Sequence, residues 1–181
     1  MKISTIISIA NEIRSACDCS DPCAMCTEFD IIKLLYPMGT ARKSVKGFIL
    51  KHEERVAITI NSDLSEEMKR VVLFHELSHY ILHVRTGLME AIQDCDVYDA
   101  ASEAEYEANL LSAELELSDQ ETLNALREEG DFYRAAGMLR VPPELLDFKL
   151  RLLREKGYRI PQAPLSAEGS YLRRFSEGAG A

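Results

Sequence analysis

His75-Glu76-Leu77-Ser78-His79 is the feature that most limits what this chain can fold into. Around it Met68, Val71, Val72, Phe74, Leu77, Tyr80, Ile81 and Leu82 recur at helical spacing, which predicts an apolar helix from about 65 to 84. Four residues advance a helix by about 400°, leaving the two imidazoles on one face and about 6 Å apart along the axis. Rings so placed can converge on one zinc ion at about 2.1 Å each. Glu76 then falls on the flank, where a carboxylate can serve as general base towards water and carry a proton to a leaving amine. The fold must bury this helix and still leave its histidine face open to a metal and a substrate.

A third ligand has to come from elsewhere in the chain. A second long helix is expected over about 101–117, with Ala104, Ala108, Leu111 and Leu115 spaced for one buried face. It carries Glu105-Tyr106-Glu107-Ala108-Asn109, an E-x-x-x-N spacing. A glutamate here can complete the metal set, with Asn109 one turn on to orient a ligating histidine. Glu103 and Glu107 compete for the role, but Glu105 is the carboxylate that shares a face with Asn109. His83 lies about 12 Å of helical rise beyond His75, too far to share the ion. It reads as an orienting residue, a transition-state donor or a hydrogen-bonded core histidine.

Composition narrows the partners. With 21 Lys and Arg against 30 Asp and Glu, the formal charge is −9. That disfavours nucleic acid as a direct ligand, because phosphate binding rests on positive charge and counterion release. A basic protein partner suits it better. No stretch approaches the roughly 20 apolar residues of a membrane span, and Met1-Lys2-Ile3-Ser4 opens no secretory signal, so the expected compartment is cytoplasmic. Five cysteines in that setting read as thiols before disulfides. Cys17, Cys19, Cys23 and Cys26 fall close together, and Asp21-Pro22 begins a helix that sets Cys23 and Cys26 one turn apart. They are expected to pack as small apolar groups; a metal or redox centre is the alternative. Cys95 reads as incidental.

The remaining pattern predicts an α+β fold. Helices are expected over 3–13 and from Pro22 to about Phe29, a strand over 31–36, and a hairpin from 46–50 and 56–60 around a charged loop. Shorter helices follow at 119–127, 131–138 and 144–156, and an acidic loop runs through Asp94, Asp96 and Asp99. Residues 140–159 alternate Arg and Lys with Glu and Asp, the pattern of a solvated face rather than of a DNA-reading helix. The expectation is one mainly helical domain over 1–160. Its small sheet of about three strands, mostly antiparallel, packs on the helix of the H-E-x-x-H motif. A flexible tail is expected over 161–181.

Phe74 to His83, together with Glu105-Tyr106-Glu107-Ala108-Asn109, resembles the ImmA/IrrE-type zinc metallopeptidases. The hairpin, the segment Ile60-Asn61-Ser62-Asp63-Leu64-Ser65 and the segment Val141-Pro142-Pro143-Glu144-Leu145-Leu146 are similar as well, so the resemblance spans roughly 20–157. It implies a zincin-like fold of gluzincin type, with one zinc held by His75, His79 and Glu105, and Glu76 as general base. It also implies a substrate class, helix-turn-helix repressors of mobile elements or stress responses. Where the family often continues into an apolar stretch ending in Met-Pro, this chain has Ala113-Glu114-Leu115-Glu116-Leu117-Ser118. Two further readings stand beside cleavage: a metal-bearing protein that sequesters a repressor uncut, and a thiol-based sensor centred on Cys17 to Cys26.

Overall fold

The computed structural model describes residues 1–17, 21–41, 44–87 and 99–174, the side chains of 99–102 and 173–174 excepted. Helices α1 (Ile3–Ala16) and α2 (Pro22–Glu28) precede three strands, β1 (Ile31–Tyr36), β2 (Gly47–His52) and β3 (Arg55–Asn61). The motif helix α3 (Glu66–His79) follows and continues as a π turn over Tyr80–Val84. The C-terminal half is α4 (Asp99–Glu116), α5 (Asp119–Glu129), α6 (Phe132–Leu139), α7 (Pro143–Glu155) and the short α8 (Tyr171–Arg174). This is a mainly helical α+β fold with one small sheet. Most of the expected acidic loop, with Asp94, Asp96 and Cys95, lies outside the described residues, as does Cys19.

Helix starts obey local chemistry. The side chains of Asp21, Ser65, Ser118 and Asp131 each accept from a backbone N–H of the first turn they cap. In α3, Glu66 and Glu67 add negative charge at the positive end of the helix dipole. The helix is buried along nearly its whole length because it is sandwiched between the sheet on one side and α4 on the other.

The sheet is mixed rather than mostly antiparallel. Its order is β1-β3-β2, with β3 antiparallel to β2 but parallel to β1. The connection between β1 and β2 carries the chain past the central position, which β3 then fills from the β2 side. The hairpin is also tighter than expected, since β2 runs to His52 and β3 begins at Arg55, with Glu53 taking a left-handed φ of 53°. Ile49, Ile58 and Ile60 face the core. Gly47 lets β2 approach α3, since a Cβ there would stand 2.7 Å from Val72 Cγ1.

Asn61 fixes how the sheet hands over to α3. Its buried amide accepts from Met38 N–H at 3.1 Å and Asp63 N–H at 3.0 Å, and donates to the carbonyls of Gly39 at 2.8 Å and Val45 at 3.0 Å. Four hydrogen bonds use the full capacity of one amide. They lock the connection after β1 to the turn that starts α3.

Two sequence expectations change on this scaffold. Lys149, placed on a solvated face by its charge pattern, is fully buried and paired with Glu114 at 2.9 Å and with Asp119 at 2.7 Å. Residues 166–172, inside the stretch expected to be loose, dock on α4 and α7. Ala167 N–H donates to Asp147 at 2.9 Å, and Tyr171 and Leu172 are buried. Ala167, Tyr171 and Leu172 join the hydrophobic core, which the Gly- and Pro-rich composition around them conceals.

Candidate metal centre

α3 presents His75 and His79 one turn apart, and α4 crosses its face to bring up Glu105. The Nε2 atoms of the two histidines lie 3.1 Å apart. Glu105 Oε2 stands 3.4 Å from His75 Nε2, and Oε1 stands 3.4 Å from His79 Nε2. A tetrahedral ion with bonds of about 2.1 Å sets its ligand atoms about 3.4 Å apart, so the three side chains mark the edges of such a shell. Among the described residues they form the one group of at least three potential ligands drawn together in this way. The competing carboxylates point elsewhere. Glu103 and Glu107 both pair with the amino group of Met1.

Burial makes the chemistry of this cluster costly without a cation. His75 is 5% and His79 2% exposed. Burial disfavours a proton on either ring, while Glu105 favours one. For His75 the carboxylate wins and the pKa rises, with Asn109 and Glu76 adding to the effect. For His79 burial wins, its neighbour His75 adds repulsion, and the pKa falls to about 4. Burial opposes charge on Glu105 too, but the two imidazoles hold its carboxyl well below the usual range. Three lone-pair donors face one point, and a metal ion satisfies all three at once. Both Nδ1 atoms, turned away from that point, are buried without a hydrogen-bond partner.

The neighbours divide by task. Glu76, next to His75 on α3, is 7% exposed. Asn109 is fully buried beside His75, and its amide donates to the carbonyl of Gly169 at 2.6 Å. The residue singled out for orienting a histidine therefore also ties the C-terminal segment to the site, a contact 60 residues away in sequence that no local motif announces. His83 lies outside the metal cluster. Its Nε2 sits 3.3 Å from the carbonyl of Ala104, which only accepts, so that nitrogen donates. The π turn carries this ring, and Arg85 N–H closes it on Tyr80 O at 2.8 Å. Tyr106 packs against Phe148 with ring centroids 5.6 Å apart, and Tyr158 lines a separate cavity beside Ile160 and Pro161.

Among the described residues, Cys17, Cys23 and Cys26 stand apart from this site. Cys26 is buried, which pushes its thiol up to about 11, and Cys23 Sγ lies 3.1 Å from Lys33 Nζ. No helix among the described residues is long and apolar enough to cross a membrane.

Residues 33–151 match the peptidase family M78, described as the IrrE N-terminal-like domain. The chain is 29% identical over 126 residues to the metallopeptidase ImmA of Bacillus subtilis strain 168, covering 67% of this chain and 72% of that relative. No solved structure matches.

Proposed function

The chain belongs to peptidase family M78, a family of metallopeptidases, and from that premise we propose that it is a zinc-dependent endopeptidase whose substrate is a helix-turn-helix repressor. The observation that carries the reading is the convergence of His75, His79 and Glu105, with ligand atoms 3.1 to 3.4 Å apart, beside the buried Glu76. Two imidazoles and one carboxylate, with a position left for water, are the donor set of catalytic zinc.

Zinc held there supplies the Lewis acidity that polarises water and the scissile carbonyl. His75 and His79 offer Nε2 and keep their protons on Nδ1, because both Nε2 atoms face Glu105 and each other. Glu76 takes the proton from the attacking water and delivers it to the leaving amine. Asn109 holds the backbone at Gly169 against α4 beside His75. His83, committed to the Ala104 carbonyl, braces the start of α4 against the turn that follows the motif.

The repressor assignment rests on the family resemblance and on charge. A net charge of −9 attracts a basic DNA-binding protein over distances up to about a Debye length, which grows as salt falls. The test is co-expression with a helix-turn-helix repressor encoded beside this protein, using wild type and Glu76→Ala. Wild type is expected to cut the repressor, and Glu76→Ala to keep its metal and leave the repressor whole. An uncut repressor whose promoter is relieved equally by both proteins would establish sequestration instead.

A further inference from the structure

A second cavity, of about 620 Å³, opens at the far end of the α3–α4 pair. That volume lies within the range of about 300–1,000 Å³ typical of ligand clefts. Glu66, Glu67, Glu116, Glu121 and Glu128 line it against Arg70 and Arg140, over an apolar floor that includes Leu139 and Val141. Acidity alone would say little. The distinguishing feature is Glu116, whose side chain is 4% exposed. One of its oxygens pairs with Arg70 Nε at 3.3 Å, and Oε2 has no hydrogen-bond partner. Arg70 is itself stacked on Phe74, 4.8 Å from the ring centroid.

A buried carboxylate oxygen without a partner is costly, and a charge-assisted donor is the group that relieves it. Burial pushes the Glu116 carboxyl up to about 7, and Arg70 offsets that only in part. The cavity combines this acceptor with an acidic rim and an apolar floor. A lysine or arginine side chain has the matching anatomy, an apolar stem and a cationic head. Glu116 lies eleven residues beyond Glu105 on α4, about 16 Å of rise. An extended peptide covers that in about five residues.

We propose that this cavity is an exosite that accepts a cationic side chain of the protein substrate, five or more residues from the scissile bond, with Glu116 as its deepest contact. The proposal rests on the peptidase reading for the identity of the partner, but its test does not require cleavage.

Binding is measured on metal-loaded, full-length Glu76→Gln protein by fluorescence anisotropy. The probes are a labelled Ala-Ala-Arg-Ala-Ala peptide and its twin with citrulline, which keeps the shape and loses the charge. The arginine peptide is expected to bind about tenfold or more tighter than the citrulline peptide. Adding Glu116→Gln should abolish most of that difference. Should that variant fold poorly, the rim pair Glu121→Gln and Glu128→Gln, both exposed, gives the same reading with a smaller loss. Glu12→Gln with Glu53→Gln, exposed residues that do not line the cavity, should change nothing. Equal affinity for the two peptides overturns the exosite. So does an equal loss in the control pair, which would mean general acidity, and so does displacement of the peptide by millimolar calcium, which would mean a metal site. Uncut repressor with the binding pattern intact counts against the peptidase reading and leaves the exosite standing.

Discussion

Helix α4 carries two buried charge clusters, and they are built on opposite principles. Towards its C-terminal end, Glu114 is fully buried and meets Lys149 at 2.9 Å, Lys156 at 2.6 Å and Arg14 at 2.9 Å. Asp119 completes that knot by pairing with both lysines. Near its N-terminal end, Glu105 meets two histidine nitrogens, and neither ring can take a proton without opposition from burial. The first cluster contains its own cations and ties α1, α4 and α7 together. The second gathers acceptors around one point, where the proposed zinc would complete it with a cation from outside. Buried charges that balance one another hold a fold; buried acceptors that converge on one point offer a place for a cation.

The comparison breaks most visibly if the knot is cut. Glu114→Ala leaves Lys149 buried without its main partner, and should cost about 3–5 kcal/mol in a denaturant melt. Metal content per folded chain should stay the same. A loss below about 1 kcal/mol, or a loss of metal at unchanged stability, would erase the distinction between the clusters.

Removing metal probes the other cluster. Chelation should lower the unfolding free energy of wild type by about 2–3 kcal/mol where metal had been present at roughly a hundred times its Kd. The same chelator should leave His79→Ala unmoved. Equal shifts in both proteins would place the responsive ion somewhere other than this site.

The smallest effect is a pH dependence that runs in opposite directions for neighbouring glutamates. Burial opposes charge on Glu114 and Asp119, but the lysines outweigh it and lower both pKa values. Their contribution to stability is therefore present above the ordinary carboxylate values and lost as pH falls through the lowered ones. Glu116 behaves oppositely, raised from 4.5 to about 7 because burial outweighs Arg70. The unfolded chain releases that proton first, so stability falls as pH rises from about 4.5 to about 7. Urea melts between pH 5 and 8 should show that decline in wild type and a flatter profile in Glu116→Gln. An unchanged slope in the variant would mean that Glu116 titrates normally.

What the sequence made legible follows the range of each interaction. The i, i+4 histidine pair and the Asp21-Pro22 helix start are each written within about one turn of chain, and the structure has His75 and His79 one turn apart on α3 and Asp21 capping α2. The order of the strands is not local. Ile31-Ile32-Lys33-Leu34-Leu35-Tyr36 reads correctly as a strand, yet its parallel partner begins 24 residues later. It is also an edge strand, and Ile32, Leu34, Leu35 and Tyr36 are exposed despite their apolar character. Lys149 misled the sequence reading for the same reason. Alternating charge marks a solvated face only when no opposite charge waits inside, and Glu114 lies 35 residues away on another helix. The docking of Gly169 on Asn109 is likewise a long-range contact, and it places the C-terminal segment beside the site.

The central claim is that His75, His79 and Glu105 hold one zinc ion per chain. Elemental analysis of purified wild type, His79→Ala, Glu105→Ala and Glu107→Ala, with folding of each checked by circular dichroism, tests it directly. The account predicts close to one zinc per chain in wild type and Glu107→Ala, and a small fraction of that in His79→Ala and Glu105→Ala. Undiminished zinc in a folded His79→Ala protein would contradict it, and zinc lost from Glu107→Ala but kept in Glu105→Ala would move the third ligand to the other carboxylate.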